Sequence, residues 1–128
     1  MEEHNLQRKY NAFAEQGAMF LVENDNCAVW QFRNESGEGT MTVYDMFPGV
    51  MLSFNDFHME HYESAYVAGR PLFAIDHCRE GRMEYAAWEN AVAYTGAGDM
   101  KLDLRRQHTG VFRFPSCHYH GLTVAFDL

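Results

Sequence analysis

Apolar residues along most of this chain recur with a period of two, not 3.6, which is the signature of half-buried strands. From Cys27 to Arg33, Trp30 and Phe32 fall on one side and Val29 and Gln31 on the other. Glu35-Ser36-Gly37-Glu38-Gly39 is rich in turn formers, and a strand resumes over Thr40 to Met46. Pro48-Gly49 breaks it, and Val50 to Asn55 continues. Asp56 to Ala68 shows no clean alternation and reads as a loop with a helical turn. Pro71 to Cys78 is a strand. Arg79-Glu80-Gly81 reads as a tight hairpin turn with Gly at the position needing positive φ, and Arg82 to Glu89 as its partner strand. Asn90 to Thr95, Met100 to Arg105, Val111 to Phe114 and Tyr119 to Leu128 follow, the last with Leu122, Val124 and Phe126 on one face.

The expected architecture is therefore all-β. It has about eight or nine short strands joined by Gly-rich turns, the pattern of a sandwich or small barrel. The first residues, through Gln16, read as a short polar arm or helix leading into the fold. No long amphipathic helix, repeat, linker or low-complexity tract is visible. The 128 residues fit one domain, 1–128.

Composition narrows the function classes. Hydrophobic residues make up 47% and aromatics 15% of the chain, which argues against disorder. Aromatics favour strands and line ligand pockets. The net charge of −8 makes this polypeptide a poor partner for nucleic acid or anionic membranes. No apolar stretch reaches the roughly 18 residues of a membrane span. The polar, acidic start Met1-Glu2-Glu3-His4 predicts no secretory signal. Cys27, Cys78 and Cys117 form no C-x-x-C pair, so free thiols in a reducing cytoplasm are expected.

Histidines raise the question of metal. His118-Tyr119-His120 places two imidazoles on one face of a strand. A metal-binding cupin would add a Glu shortly after the pair and a further His on a later strand. Gly121 to Ala125 holds no carboxylate. His58, His61 and Glu63 form a second loose cluster in the expected loop. Solvated or core histidines are the plainer reading of both, so neither a metal nor a cofactor is assigned. Nucleophilic catalysis finds no support either. Cys117 and Cys78 each adjoin a histidine, but neighbours on a strand point to opposite faces. No G-x-S-x-G elbow or phosphate loop is present. On Arg82 to Glu89, Arg82, Glu84, Ala86 and Trp88 share a face. That face offers a stacking surface and a fixed ion pair to a ligand, or else a simple ion pair on a solvated sheet.

Several segments resemble the N-terminal domain of AraC-family transcription regulators. They are Tyr44-Asp45-Met46-Phe47-Pro48-Gly49-Val50, Ile75 to Glu84 (Ile-Asp-His-Cys-Arg-Glu-Gly-Arg-Met-Glu), Tyr94 to Asp99, Phe112 to Pro115, and Tyr119-His120-Gly121-Leu122. The likeness runs from about Tyr44 to Leu128, and His77 to Glu84 is its most specific string. The resemblance implies a cupin-like jelly-roll barrel that senses a small molecule or mediates dimerisation, and it implies no enzyme. In that family a C-terminal domain with two helix-turn-helix motifs binds DNA. Since the sequence stops at Leu128, a sensor cut from a longer regulator is expected, with a stand-alone sensor as the alternative.

The leading expectation is a cytoplasmic, homodimeric module that binds a small-molecule effector in the barrel. It touches DNA only through the domain not included here. Candidate ligand contacts are Trp30, Arg82, Glu84, Trp88, His118 and His120. Two alternatives stand beside it. One is a metal-dependent cupin enzyme using His118 and His120. The other is a dimerisation module without a small ligand, built on aromatics such as Phe54, Phe57 or Tyr62.

Overall fold

The structure, a computed structural model, describes residues 19–24, 26–88 and 91–127, and side chains within 26–63, 73–86, 91–102 and 111–127. The N-terminal arm falls outside the described residues. Eight strands are formed among them: β1 (Met19–Asn24), β2 (Cys27–Asn34), β3 (Gly37–Phe47), β4 (Val50–His58), β5 (His61–Trp88), β6 (Ala91–Gly96), β7 (Met100–Arg113) and β8 (Tyr119–Asp127). No helix occurs among the described residues, so none is long and apolar enough to cross a membrane. The all-β expectation holds.

The strands are hydrogen-bonded in the order β1-β2-β3-β4-β8-β5-β6, with β7 also on β5. Every pairing is antiparallel. The long strands β5 and β7 wrap the sheet towards closure. The middle of β5, from Leu72 to His77, lies between β7 on one side and β8 on the other. Further along, Tyr85 pairs with Phe112, which also pairs with Tyr62 near the start of β5. One strand thus flanks the end of β7 on both sides, and the Phe112 ring lies against both tyrosines, at 5.7 and 6.0 Å.

Alternation decides what the barrel buries. Ala28, Trp30 and Phe32 of β2, Val43 of β3, Met51 and Phe57 of β4, and Tyr119 and Ala125 of β8 share the core with Met59, Tyr62, Cys78, Phe112 and Phe114. Phe57 stacks on Tyr62 at 5.5 Å and on Phe114 at 5.2 Å. Gly39 faces Phe57 in the β3–β4 pairing, and a Cβ there would collide with its ring.

Several local expectations are corrected. Asp56 to Ala68 is no loop with a helical turn: β4 runs to His58, the chain bends at Met59 and Glu60, and β5 starts at His61. Burial of Phe57 and Met59 around exposed His58 and Glu60 carries a strand alternation that the polar neighbours obscure. Arg79-Glu80-Gly81 is no hairpin either. Gly81 does take positive φ, +84°, but as a kink within β5. Its flanks cannot fold on each other because both sides are occupied: Cys78 and Gly81 pair with Gly121 and Tyr119 of β8, while Arg82 to Trp88 pair with β6. Met100 to Arg105 and Val111 to Arg113 belong to one strand, β7, because β5 pairs along both. Leu122, Val124 and Phe126 do share a face, but it is half-buried and turned from the core, where Phe126 stacks on Phe73 at 5.6 Å. Tyr119, Gly121 and Ala125 are the buried set of β8. Of the aromatics considered for a docking surface, Phe57 and Tyr62 are core residues and Phe54 is exposed.

Candidate functional site

Two polar constellations meet on β8, one on each face of the sheet. On the core side a hydrogen-bonded chain crosses adjacent strands. Ser53 Oγ donates to Asn55 Oδ1 (2.7 Å), Asn55 Nδ2 to Thr123 Oγ1 (3.1 Å), and Thr123 Oγ1 to Asp76 Oδ1 (2.6 Å). Lys101 Nζ lies 3.8 Å from the other Asp76 oxygen and 4.1 Å from the Tyr85 ring centroid. Asp76 is 4% exposed, and a side chain buried this far needs such polar partners. The chain ties β4, β8, β5 and β7 together beneath the outer face.

On the outer face, pairing of β4 with β8 sets Asp56 against His120 and Phe57 against Tyr119. Since alternate residues share a face, Phe54, Asp56 and His58 of β4 line up with His120 and Leu122 of β8. His118 joins them from the turn before β8. That turn is held by the Cys117 amide donating to Phe114 O (2.9 Å), with Cys117 in the left-handed region at φ 56°. Glu80 reaches in from the bulge in β5 between Cys78 and Glu80.

The result is a compact cluster. Nδ1 of His58 and Nδ1 of His118 approach to 3.4 Å, and one ring nitrogen from each of His58, His118 and His120 lies within 4.8 Å of the other two. Two carboxylates bracket the rings. Asp56 Oδ1 sits 3.0 Å from His58 Nε2 and 2.7 Å from His120 Nε2. Glu80 Oε2 sits 2.8 Å from His120 Nδ1 and 3.7 Å from His118 Nε2. The close pair His120 Nε2 and Asp56 Oδ1 is shielded from solvent but not aligned as a hydrogen bond. Beside the cluster a groove of about 490 Å³ opens over the sheet, lined by Thr40, Thr42, Phe54 and Asp56 and flanked by Arg79, Glu80 and His120. Its volume lies in the range of small-molecule sites, and it offers both charges around one aromatic ring.

The candidate contacts named from sequence are not gathered in one place. His118 and His120 stand in the cluster, and His120 also lines the groove. Trp30 is 0% exposed, inside the core. Arg82 pairs with Glu84 (2.9 Å) and stacks over Tyr94 at 3.8 Å, the ion-pair arrangement weighed above for that face. The side chain of Trp88 falls outside the described residues. Sequence reasoning missed Asp56, Arg79 and Glu80. It placed His58 with His61, whereas His61 instead meets Glu35 at 3.1 Å. The signal lay in the alternation from Phe54 to His58, but only strand pairing brings His58 to a residue 60 positions away.

No known family model and no curated protein matches the chain. Solved structures do. An HTH_3 family transcriptional regulator from Vibrio cholerae aligns at 10% identity over 69% of this chain and 51% of its own, with a TM-score of 0.52. The chain thus spans about half of that regulator. An ethanolamine utilization protein Q from Salmonella typhimurium aligns at 14% identity over 85% of this chain and 93% of its own, with a TM-score of 0.55. FeII HppE aligns at 10% identity over 98% of this chain and 77% of its own, with a TM-score of 0.53. At these identities the likeness establishes the fold and nothing finer: the chain is a cupin-like, nearly closed all-β barrel.

Proposed function

We propose that the chain is the effector-sensing and self-associating domain of an AraC-type transcription regulator. The observation that carries this reading is the open groove beside β8, which has the volume for a small molecule and presents Arg79, Asp56, Glu80 and His120 around Phe54. The segments that resemble AraC regulators supply two of its walls, Glu80 with Arg79 and His120 with Gly121. The helix-turn-helix regulator among the structural neighbours is consistent with a sensory role for this barrel. In this reading, the charge of −8 leaves DNA contact to another domain of the full-length protein. In this reading the module is a cytoplasmic homodimer. The effector works through its different affinities for two arrangements of the dimer or of the linked DNA-binding domain.

A thermal-shift screen of metal-free protein against sugars, bile-acid-like molecules and aromatic acids tests it. A saturable rise in melting temperature that is lost in Arg79→Ala is expected. A library without any hit, together with a monomer in light scattering, would end this reading. A metal-dependent cupin enzyme is the second reading, favoured by the three clustered imidazoles. Turnover of a substrate that stops on chelation would replace the sensor assignment with that one.

A further inference from the structure

We infer that His58, His118 and His120 form a binding site for a divalent transition-metal ion, with imidazole-preferring Zn²⁺ as the fitting case. The site lies on the outer face of the sheet, at the end of β4 and the start of β8, and not among the core residues. Four observations support it. First, zinc–nitrogen bonds of about 2.0–2.1 Å in a tetrahedron put ligand nitrogens about 3.3–3.4 Å apart, and Nδ1 of His58 and of His118 stand 3.4 Å apart. Two neutral imidazoles placed that way can share one proton, and a cation accepts both lone pairs at once.

Second, the other nitrogen of each ring lies near a carboxylate. His58 Nε2 lies 3.0 Å from Asp56, His118 Nε2 3.7 Å from Glu80, and His120 Nδ1 2.8 Å from Glu80. A metal-bound histidine commonly rests its second nitrogen on a carboxylate, which fixes the tautomer and aims the ring. Third, His120 Nε2 is shielded from solvent, and its close neighbour Asp56 Oδ1, at 2.7 Å, is not aligned to hydrogen-bond with it. Such a nitrogen is costly unless something occupies it. Fourth, metals bind the neutral form of imidazole. In that form the two carboxylates leave the cluster with a charge of −2, which a divalent cation cancels. All three ligand nitrogens lie within 4.8 Å of one another, and His58 is exposed while the other two rings are half-buried, so side-chain rotation closes the remaining gap.

Three protein ligands leave a fourth position for water or for a ligand atom. His120 and Asp56 also line the groove, so an ion here would sit at its edge. The inference does not rest on the effector reading: a protein that takes up zinc without any effector, or an effector without zinc, would separate the two.

The test is calorimetric titration of the chelator-treated, untagged chain with ZnCl₂, alongside absorption spectra with CoCl₂. One Zn²⁺ per chain and the intense visible bands of tetrahedral cobalt are expected. Asp56→Asn removes an orienting carboxylate and is expected to weaken zinc about 10–100-fold. His58→Ala removes a ligand and is expected to weaken it by more than about 100-fold. His61→Ala, on a histidine that pairs with Glu35 away from the cluster, is expected to bind as the parent does. Far-UV circular dichroism checks that each variant is folded. Failure of the parent to take up one ion per chain would overturn the inference. So would equal zinc affinities in His58→Ala and His61→Ala, which would leave the cluster as an imidazole–carboxylate ion-pair network only.

Discussion

Individual side chains here owe their chemistry to which face of a strand they occupy. The three cysteines show it. Cys78 is fully buried beneath the bulge of β5, Cys27 is half-buried and Cys117 is exposed in the turn that delivers His118. Burial pushes the Cys78 thiol above its ordinary value, and the nearby Asp99 carboxylate adds to that. A thiol raised in this way favours the folded state fully below its ordinary titration range. That contribution is lost as pH rises through the folded value. The loss of melting temperature on going to strongly alkaline pH is therefore expected to be smaller in Cys78→Ala than in the parent. Identical alkaline slopes would discard the argument. In the native protein at neutral pH, Ellman's reagent is expected to modify Cys117 quickly and to reach Cys78 only after unfolding. The same face logic separates His58 from His61. Both are polar interruptions in one stretch, yet one meets His118 and the other Glu35.

At the scale of elements, β5 is the decisive one, and Gly81 is its critical residue. The sequence marks Gly81 as a position needing positive φ, and φ of +84° bears that out, though in a kink within β5 and not in a hairpin. The partner of the turn was not legible, because a Gly with positive φ serves equally in a hairpin, a bulge or a kink. A Cβ on Gly81 would come within 1.9 Å of the His118 carbonyl oxygen. Gly98 also has positive φ, +90°, but nothing lies within 4 Å of its Cβ position. Gly98→Ala is therefore expected to cost only the backbone term, about 1–2 kcal/mol. Gly81→Ala is expected to cost clearly more and to displace His118 as well. Chemical denaturation of the two variants measures the difference, and equal losses would mean that β8 does not press on β5 at this point. The bend at Met59 and Glu60 has the same lesson. The alternation of buried Phe57 and Met59 with exposed His58 and Glu60 is there in the sequence, but the polar positions are dense enough to read as a loop.

For the whole molecule, the polar chain through Asp76 links the strands that carry the outer cluster. Asp76→Ala takes away the acceptor of the half-buried Thr123 hydroxyl and a carboxylate near Lys101, at an expected loss of about 1–3 kcal/mol. Asp76→Asn keeps an acceptor for Thr123 and is expected to lose less. If urea unfolding finds the two variants equally destabilised, the hydrogen bond is not what matters. The sequence by itself determined the all-β class, the approximate number of strands, the positive φ at Gly81, the pairing of Arg82 with Glu84 as one of two readings, and the shared face of His118 and His120. Each of these follows from local alternation, turn chemistry or spacing of two. The tertiary structure alone decided that β5 is one strand serving both sides of β7, that Trp30 is core, and that Leu122, Val124 and Phe126 face away from the core. It alone brought His58, Asp56 and Glu80 to the H-x-H pair. These depend on the register between β4, β8 and β5, which is fixed by burial summed over whole strands, and a shift of one residue would turn every one of those side chains to the other face.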